Sequence, residues 1–137
     1  MKVFGDFIGV NTSKRGDYID ITPKVKERVE KSGIRNGIVV LHEMHTTAAL
    51  VIQEGDKDVH ADTTNALNEI VPLSRQYRHC YEGVANATAH IKNQLLGSSI
   101  ALPVIEGKIA LGTWQRIFLV ELFEGRRRRI AVSIIGE

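Results

Sequence analysis

Between Ser98 and Gly136, four β-forming runs follow one another: SSIALPVIE, KIALG, TWQRIFLVEL and RIAVSIIG. They are broken at Pro103, Gly107 and Gly125, with no helical stretch between them. Parallel neighbours need a crossover of about a dozen residues or more, usually a helix, whereas antiparallel neighbours need only a turn. The closing part of the chain therefore predicts a largely antiparallel sheet. Upstream, VFGDFIGVN and GDYIDIT read as two strands of an opening hairpin, and GIVVLHEM and TTAALVIQE as two more that meet near His45. A first helix has Thr22 as its N-cap, Pro23 in its first turn, Val25 and Val29 on one face, and Gly33 at its end. A second runs from Asp58 to Val71, with Val59, Ala66 and Ile70 at helical spacing before Pro72, and a third from Asn86 to Leu96 before Gly97. The fold class is α+β: one domain over residues 1–137, with a mixed, largely antiparallel β-sheet and about three helices.

A chain of 137 residues buries about two-thirds of its unfolded surface, enough for one real core. Its 43% hydrophobic and 25% charged residues exclude a disordered chain. No apolar run approaches the ~18 residues of a membrane span, and MKVFGDFIGV lacks the apolar region of a signal peptide, so a cytoplasmic location is expected. Cys80 is the sole cysteine, which excludes an internal disulfide and a thiolate zinc framework. Any metal site must use His, Asp, Glu and Gln. A net charge of +2 gives no argument for nucleic acid. The run Arg126 to Arg129 reads as the solvated entrance to the last strand, with phosphate contact as the rival reading.

Among the five histidines, three stand in contexts suited to chemistry. His45 lies at a strand junction beside Thr46 and Thr47, hydroxyls able to orient an imidazole or bind an oxyanion; a hydrogen-bonded edge histidine is the plainer reading. His90 follows Asn86 by one helical turn, so both share a face, and His79 sits in a loop between Tyr77 and Tyr81. A solvent-exposed stripe and a plain loop residue are the rivals. Asp62 falls on the stripe of Val59 and Ala66 and is expected to face inward, where a carboxylate needs a partner or a raised pKa. Glu54, at the end of its strand, is the second candidate carboxylate. Alternation in LGTWQRIFLVEL places Trp114 with Phe118 on one face and Gln115 with Ile117 and Leu119 on the other. Core packing accounts for Trp114, whereas Gln115 among apolar neighbours needs a hydrogen-bond partner or a pocket wall. No P-loop, Rossmann glycine pattern, HExxH pair or GxSxG motif is present.

HTTAALVIQE, YRHCYEG, NATAHIKNQLLGSS, LPVIEGKIALGTWQRIFLVE and the arginine run before IAVSIIGE resemble, in the same order, the secondary thiamine-phosphate synthase (YjbQ-like) family. That resemblance spans nearly the whole chain. It implies a homotrimer and a pocket in which His45, His79 and His90 hold a divalent metal, zinc or, for catalysis, magnesium. It also implies thiamine phosphate formation, hence a small phosphorylated substrate, with no nucleic-acid or membrane partner. Asp62, Glu54 and Gln115 are then the expected catalytic groups, and Thr46, Asn86 and Trp114 the substrate-binding ones. A TIM barrel, the scaffold of the usual thiamine-phosphate synthase, needs ~250 residues and does not fit this chain. A non-catalytic metabolite-binding or assembly protein and a metal-dependent phosphate-ester hydrolase are the alternatives from other classes.

Overall fold

The structure, a computed structural model, describes residues 1–137. Eight strands and three helices follow in the order β1 (Lys2–Asn11), β2 (Tyr18–Asp20), α1 (Thr22–Ser32), β3 (Gly37–Glu43), β4 (Ala48–Gln53), α2 (Lys57–Ile70), α3 (Val84–Leu96), β5 (Ser99–Ile105), β6 (Lys108–Ile109), β7 (Arg116–Glu121) and β8 (Arg127–Gly136). Every strand pairing is antiparallel, in two sheets: β1-β8-β3-β5-β6 and β2-β7-β4. The α+β class and the three helices agree with the sequence reading, but the opening hairpin does not form. β1 pairs with β8 and β2 with β7, which puts β1 and β2 in opposite sheets so that Ile8 and Val10 of β1 and Ile19 of β2 pack into one core between them. Similarly β3 and β4 flank His45 yet lie in different sheets, so residues 44–47 carry the chain from one layer to the other.

The core sits between the sheets. Period-2 alternation turns Ile8 and Val10 of β1, Val39 and Leu41 of β3, Leu102 and Val104 of β5, and Ile130, Val132 and Ile134 of β8 towards Leu50, Ile117 and Leu119 of the smaller sheet. Val25 and Val29 of α1 complete that cluster. The other face of the smaller sheet, Ala49, Val120 and neighbouring Leu122, is covered by Ala89 of α3. Thr22 does not cap α1. Ile21 takes that position without a side-chain bond, and the buried Thr22 hydroxyl instead accepts the Ile117 N–H at 2.8 Å. Asp56 caps α2 by accepting the N–H groups of Asp58 and Val59. No helix is long and apolar enough to cross a membrane.

One close approach fixes the register at the end of the large sheet. Gly37 pairs with Gly136, and a Cβ on Gly37 would stand 2.0 Å from the Ile135 carbonyl oxygen. Gly37→Ala therefore forces backbone apart. The expected loss is about 3 kcal/mol, seen as a fall of about 10 °C in the thermal midpoint; an unchanged midpoint would show that β8 can shift at no cost.

Candidate functional site

Helix α3 carries one side of the site. It starts after Gly83, whose φ of 93° ends the irregular loop bearing His79, and it presents Asn86, His90 and Asn93 at successive turns of one face. At its first turns the ligand atoms of His79, Glu82 and His90 all lie within 4.8 Å of one another. The His79 and His90 rings meet edge to face, with centroids 4.8 Å apart. His79 and Glu82 are exposed and His90 is half-buried, so solvent reaches the group. Asn86 is buried beside it, and its side-chain oxygen has no hydrogen-bond donor.

One turn further along α3, Asn93 lines an open cavity of about 380 Å³ together with His42, Glu43, His45, Thr46 and Ser98. His45 stands here, outside the His79–Glu82–His90 group. Its Nε2 accepts the Arg129 backbone N–H at 2.8 Å, which puts the ring proton of the neutral tautomer on Nδ1. Burial, reinforced by the nearby Arg128 charge, holds its pKa below the usual histidine value and favours that neutral form. Beneath it, Glu43 is only 1% exposed. The carboxylate accepts the His45 N–H at 2.9 Å and the Asn93 amide at 3.3 Å. Burial raises its pKa, against the lowering effects of the Ser98 hydroxyl, the His45 amide and Arg128. Sequence reasoning missed Glu43, although alternation with the buried Val39 and Leu41 signals that it points inward. Glu82 was also missed, because a loop carries no periodicity to mark it.

A buried acid with a raised pKa favours the fold while protonated, and that contribution is lost as pH rises through its folded-state pKa. Wild-type stability is therefore expected to decline on the alkaline side of the ordinary carboxyl range, and Glu43→Gln to flatten that decline. Urea midpoints measured at pH 5 and pH 8 check this. Parallel pH dependence in both proteins would assign the decline to another group.

The other expected site residues are placed elsewhere. Asp62 is exposed, as is Ala66; α2 has no buried residue, and its partly covered face runs through Val59, His60, Thr63 and Leu67. Solvent therefore supplies the partner that an inward Asp62 would have needed. Trp114 is 72% exposed in the turn before β7, so it does not pack with Phe118. It lines a cavity with Glu54, Asp20 and Arg116, in which Arg116 is already paired to Asp20 at 2.8 Å. Gln115 is exposed in the same turn, and its side-chain oxygen accepts the Gly112 N–H at 2.8 Å, closing the turn. Thr46 is exposed in the His45 cavity, whereas Thr47 is buried and accepts a hydrogen bond from Arg128. His60 stacks on Tyr18 at 4.0 Å and is a packing residue.

The arginine run is not a uniformly solvated entrance. Alternation along β8 exposes Arg127 and Arg129 and buries Arg128 to 1% exposure. Its guanidinium donates to both oxygens of the fully buried Glu121 and to the Thr47 carbonyl and hydroxyl. Arg129 lies over the Phe7 ring at 4.0 Å.

The whole chain is similar to proteins from several microbial lineages. A UPF0047 protein of Methanothermobacter thermautotrophicus is 41% identical over 137 residues, covering 100% of this chain and 95% of that protein. YugU of Bacillus subtilis, also a UPF0047 protein, is 36% identical, with coverage of 93% and 96%. The crystal structure of a YbjQ-like protein of unknown function from Sulfolobus solfataricus superposes with a TM-score of 0.93 at 42% identity and covers 99% of each chain. The family model described as UPF0047 protein YjbQ-like matches residues 6–137. With the match extending through both sheets, all three helices and the histidine-bearing loop, the chain belongs to the YjbQ-like UPF0047 family.

Proposed function

We propose that the face of α3 from Asn86 to Asn93 is a metal-dependent active site acting in the cytoplasm on a small phosphorylated metabolite. Thiamine phosphate formation is the reaction that the sequence resemblance implies. The observation that carries this reading is the grouping of His79, Glu82 and His90 within 4.8 Å. Two imidazoles and a carboxylate are a donor set of catalytic zinc, with ligands about 3.3 Å apart in tetrahedral geometry at normal bond lengths, so exposed His79 and Glu82 need close in by only ~1.5 Å. Magnesium, which prefers oxygen donors, suits the set less well. A bound divalent ion supplies polarisation of a phosphoryl oxygen.

The protein's own groups do the rest. Asn86 lies on the same face of α3 as His90, and its unpartnered but buried oxygen accepts from a ligand only once the side chain turns outward. Neutral His45 offers Nδ1–H as a donor, and Glu43, with its raised pKa, is the carboxyl best suited to hold a proton. His45 becomes a fourth metal ligand through Nε2 only by releasing the Arg129 amide. Assembly as a homotrimer fits the outer face of the large sheet, where Val3, Ile135 and Ile38 lie side by side in register and exposed. Light scattering that gives only a 15.2 kDa mass at micromolar concentration would remove the trimer.

A screen of phosphorylated metabolites with added divalent ions, run on wild type and His90→Ala, tests the active-site reading. Metal-dependent turnover lost in His90→Ala supports it. Release of inorganic phosphate alone makes the protein a phosphate-ester hydrolase, and binding without turnover makes it a metabolite-binding protein.

A further inference from the structure

A separate cavity of about 250 Å³ opens between the loop before β2, helix α2, helix α3 and the end of β7. Arg15, Tyr18, Thr64, Asn68, Lys92 and Glu121 supply its polar wall. Lys92 is only 3% exposed. Its ammonium carries three donors, and one is used, on the Asn68 side-chain oxygen at 2.7 Å. No carboxylate pairs with it or with Arg15. Arg15 adds repulsion from a second positive charge. Glu121 lines the same cavity but is not a free counter-ion, because Arg128, Thr12 and the Phe123 N–H already occupy both its oxygens. A buried cation with unspent donors is costly unless something anionic or strongly accepting fills the space beside it.

We propose that this cavity is an oxyanion-binding site, taking the phosphate group of a small phosphomonoester between Lys92 and Arg15. Two cations from different elements match a doubly charged group, and the volume admits a phosphate with a few further heavy atoms. Lys92 is two residues after His90, roughly 200° around the helix, so the cavity lies on the other side of α3 from the histidine group. The site therefore does not rest on the metal reading.

Calorimetric titration of metal-free protein with inorganic phosphate, glycerol 3-phosphate and succinate tests it. Saturable binding of phosphate and glycerol phosphate, weaker binding of succinate, and a loss of about tenfold or more in both Lys92→Met and Arg15→Gln are expected. Arg15 is exposed, so Arg15→Gln keeps the test valid even if Lys92→Met folds poorly. His90→Ala is expected to bind phosphate as wild type does. Binding that is absent, that survives both cation substitutions, that is lost in His90→Ala, or that favours succinate overturns the assignment. Metal content in Arg15→Gln should equal wild type, which separates failure here from failure of the histidine site.

Discussion

Arg128→Met is expected to lower stability by about 3–5 kcal/mol, a large part of the ~5–15 kcal/mol that holds a domain of this kind together. Arg128 and Glu121 are 1% and 0% exposed, and their pairing joins β8 of the large sheet to β7 of the small one. Removing the guanidinium leaves the Glu121 carboxylate buried without its charge partner, retaining the Thr12 hydroxyl at 2.6 Å and the Phe123 N–H at 3.0 Å. It also strips a donor from the Thr47 carbonyl at the point where the chain passes between sheets. The cost comes from the stranded charge more than from the lost attraction, so Arg128→Met combined with Glu121→Leu is expected to recover much of it. Urea unfolding of the single and double variants gives the comparison. A single-variant loss below about 1 kcal/mol would mean that water reaches the pair and that the junction is held by apolar packing alone.

Zinc affinity is expected to fall at least ~100-fold in His79→Ala/His90→Ala, since replacing even the residues behind a metal's ligands typically costs 10–100-fold. Competition with a chromophoric chelator, on protein purified without a histidine tag, measures it. His45→Ala is expected to stay within a few-fold of wild type, because its Nε2 is held by the Arg129 amide and lies outside the group. An equal loss in His45→Ala would show that this imidazole swings free to join the set. Equal metal content in wild type and the double variant would leave a metal-free hydrogen-bonding cluster. Affinity in wild type should also weaken in acid, where imidazole must give up a proton to bind.

Local pattern carried much of the architecture. Helical spacing located α1, α2 and α3 within a few residues, and the absence of helices after Ser98 anticipated antiparallel pairing, met between β5 and β6, whereas β7 and β8 pair with strands from earlier in the chain. His79 and His90 were recognisable as polar groups on a loop and a helix face, and the structure brings them together. Alternation also contained two signals not used: Glu43 continues the inward series of Val39 and Leu41, and Arg128 that of Ile130, Val132 and Ile134. The arginine run as a whole reads as solvated, and strand phase overrode that at Arg128. The opposite error befell Asp62, Trp114 and Gln115, where pattern suggested burial but α2 lies at the surface and the strand starts only at Arg116.

The sequence by itself determined which segments are strands and helices, and which residues share a face, because those depend on backbone periods of 2 and 3.6 residues. Tertiary structure decided partnership. Whether β1 joins β2 or β8 depends on which apolar face finds a matching surface, and that match lies more than a hundred residues away. The same long-range choice separates His45 from His79 and His90, puts Arg128 and Glu121, only seven residues apart, on different sheets that face each other, and leaves Lys92 beside Arg15 without a counter-ion. Charges and ring nitrogens acquire chemistry only from neighbours in space, and no spacing along the chain encodes those neighbours.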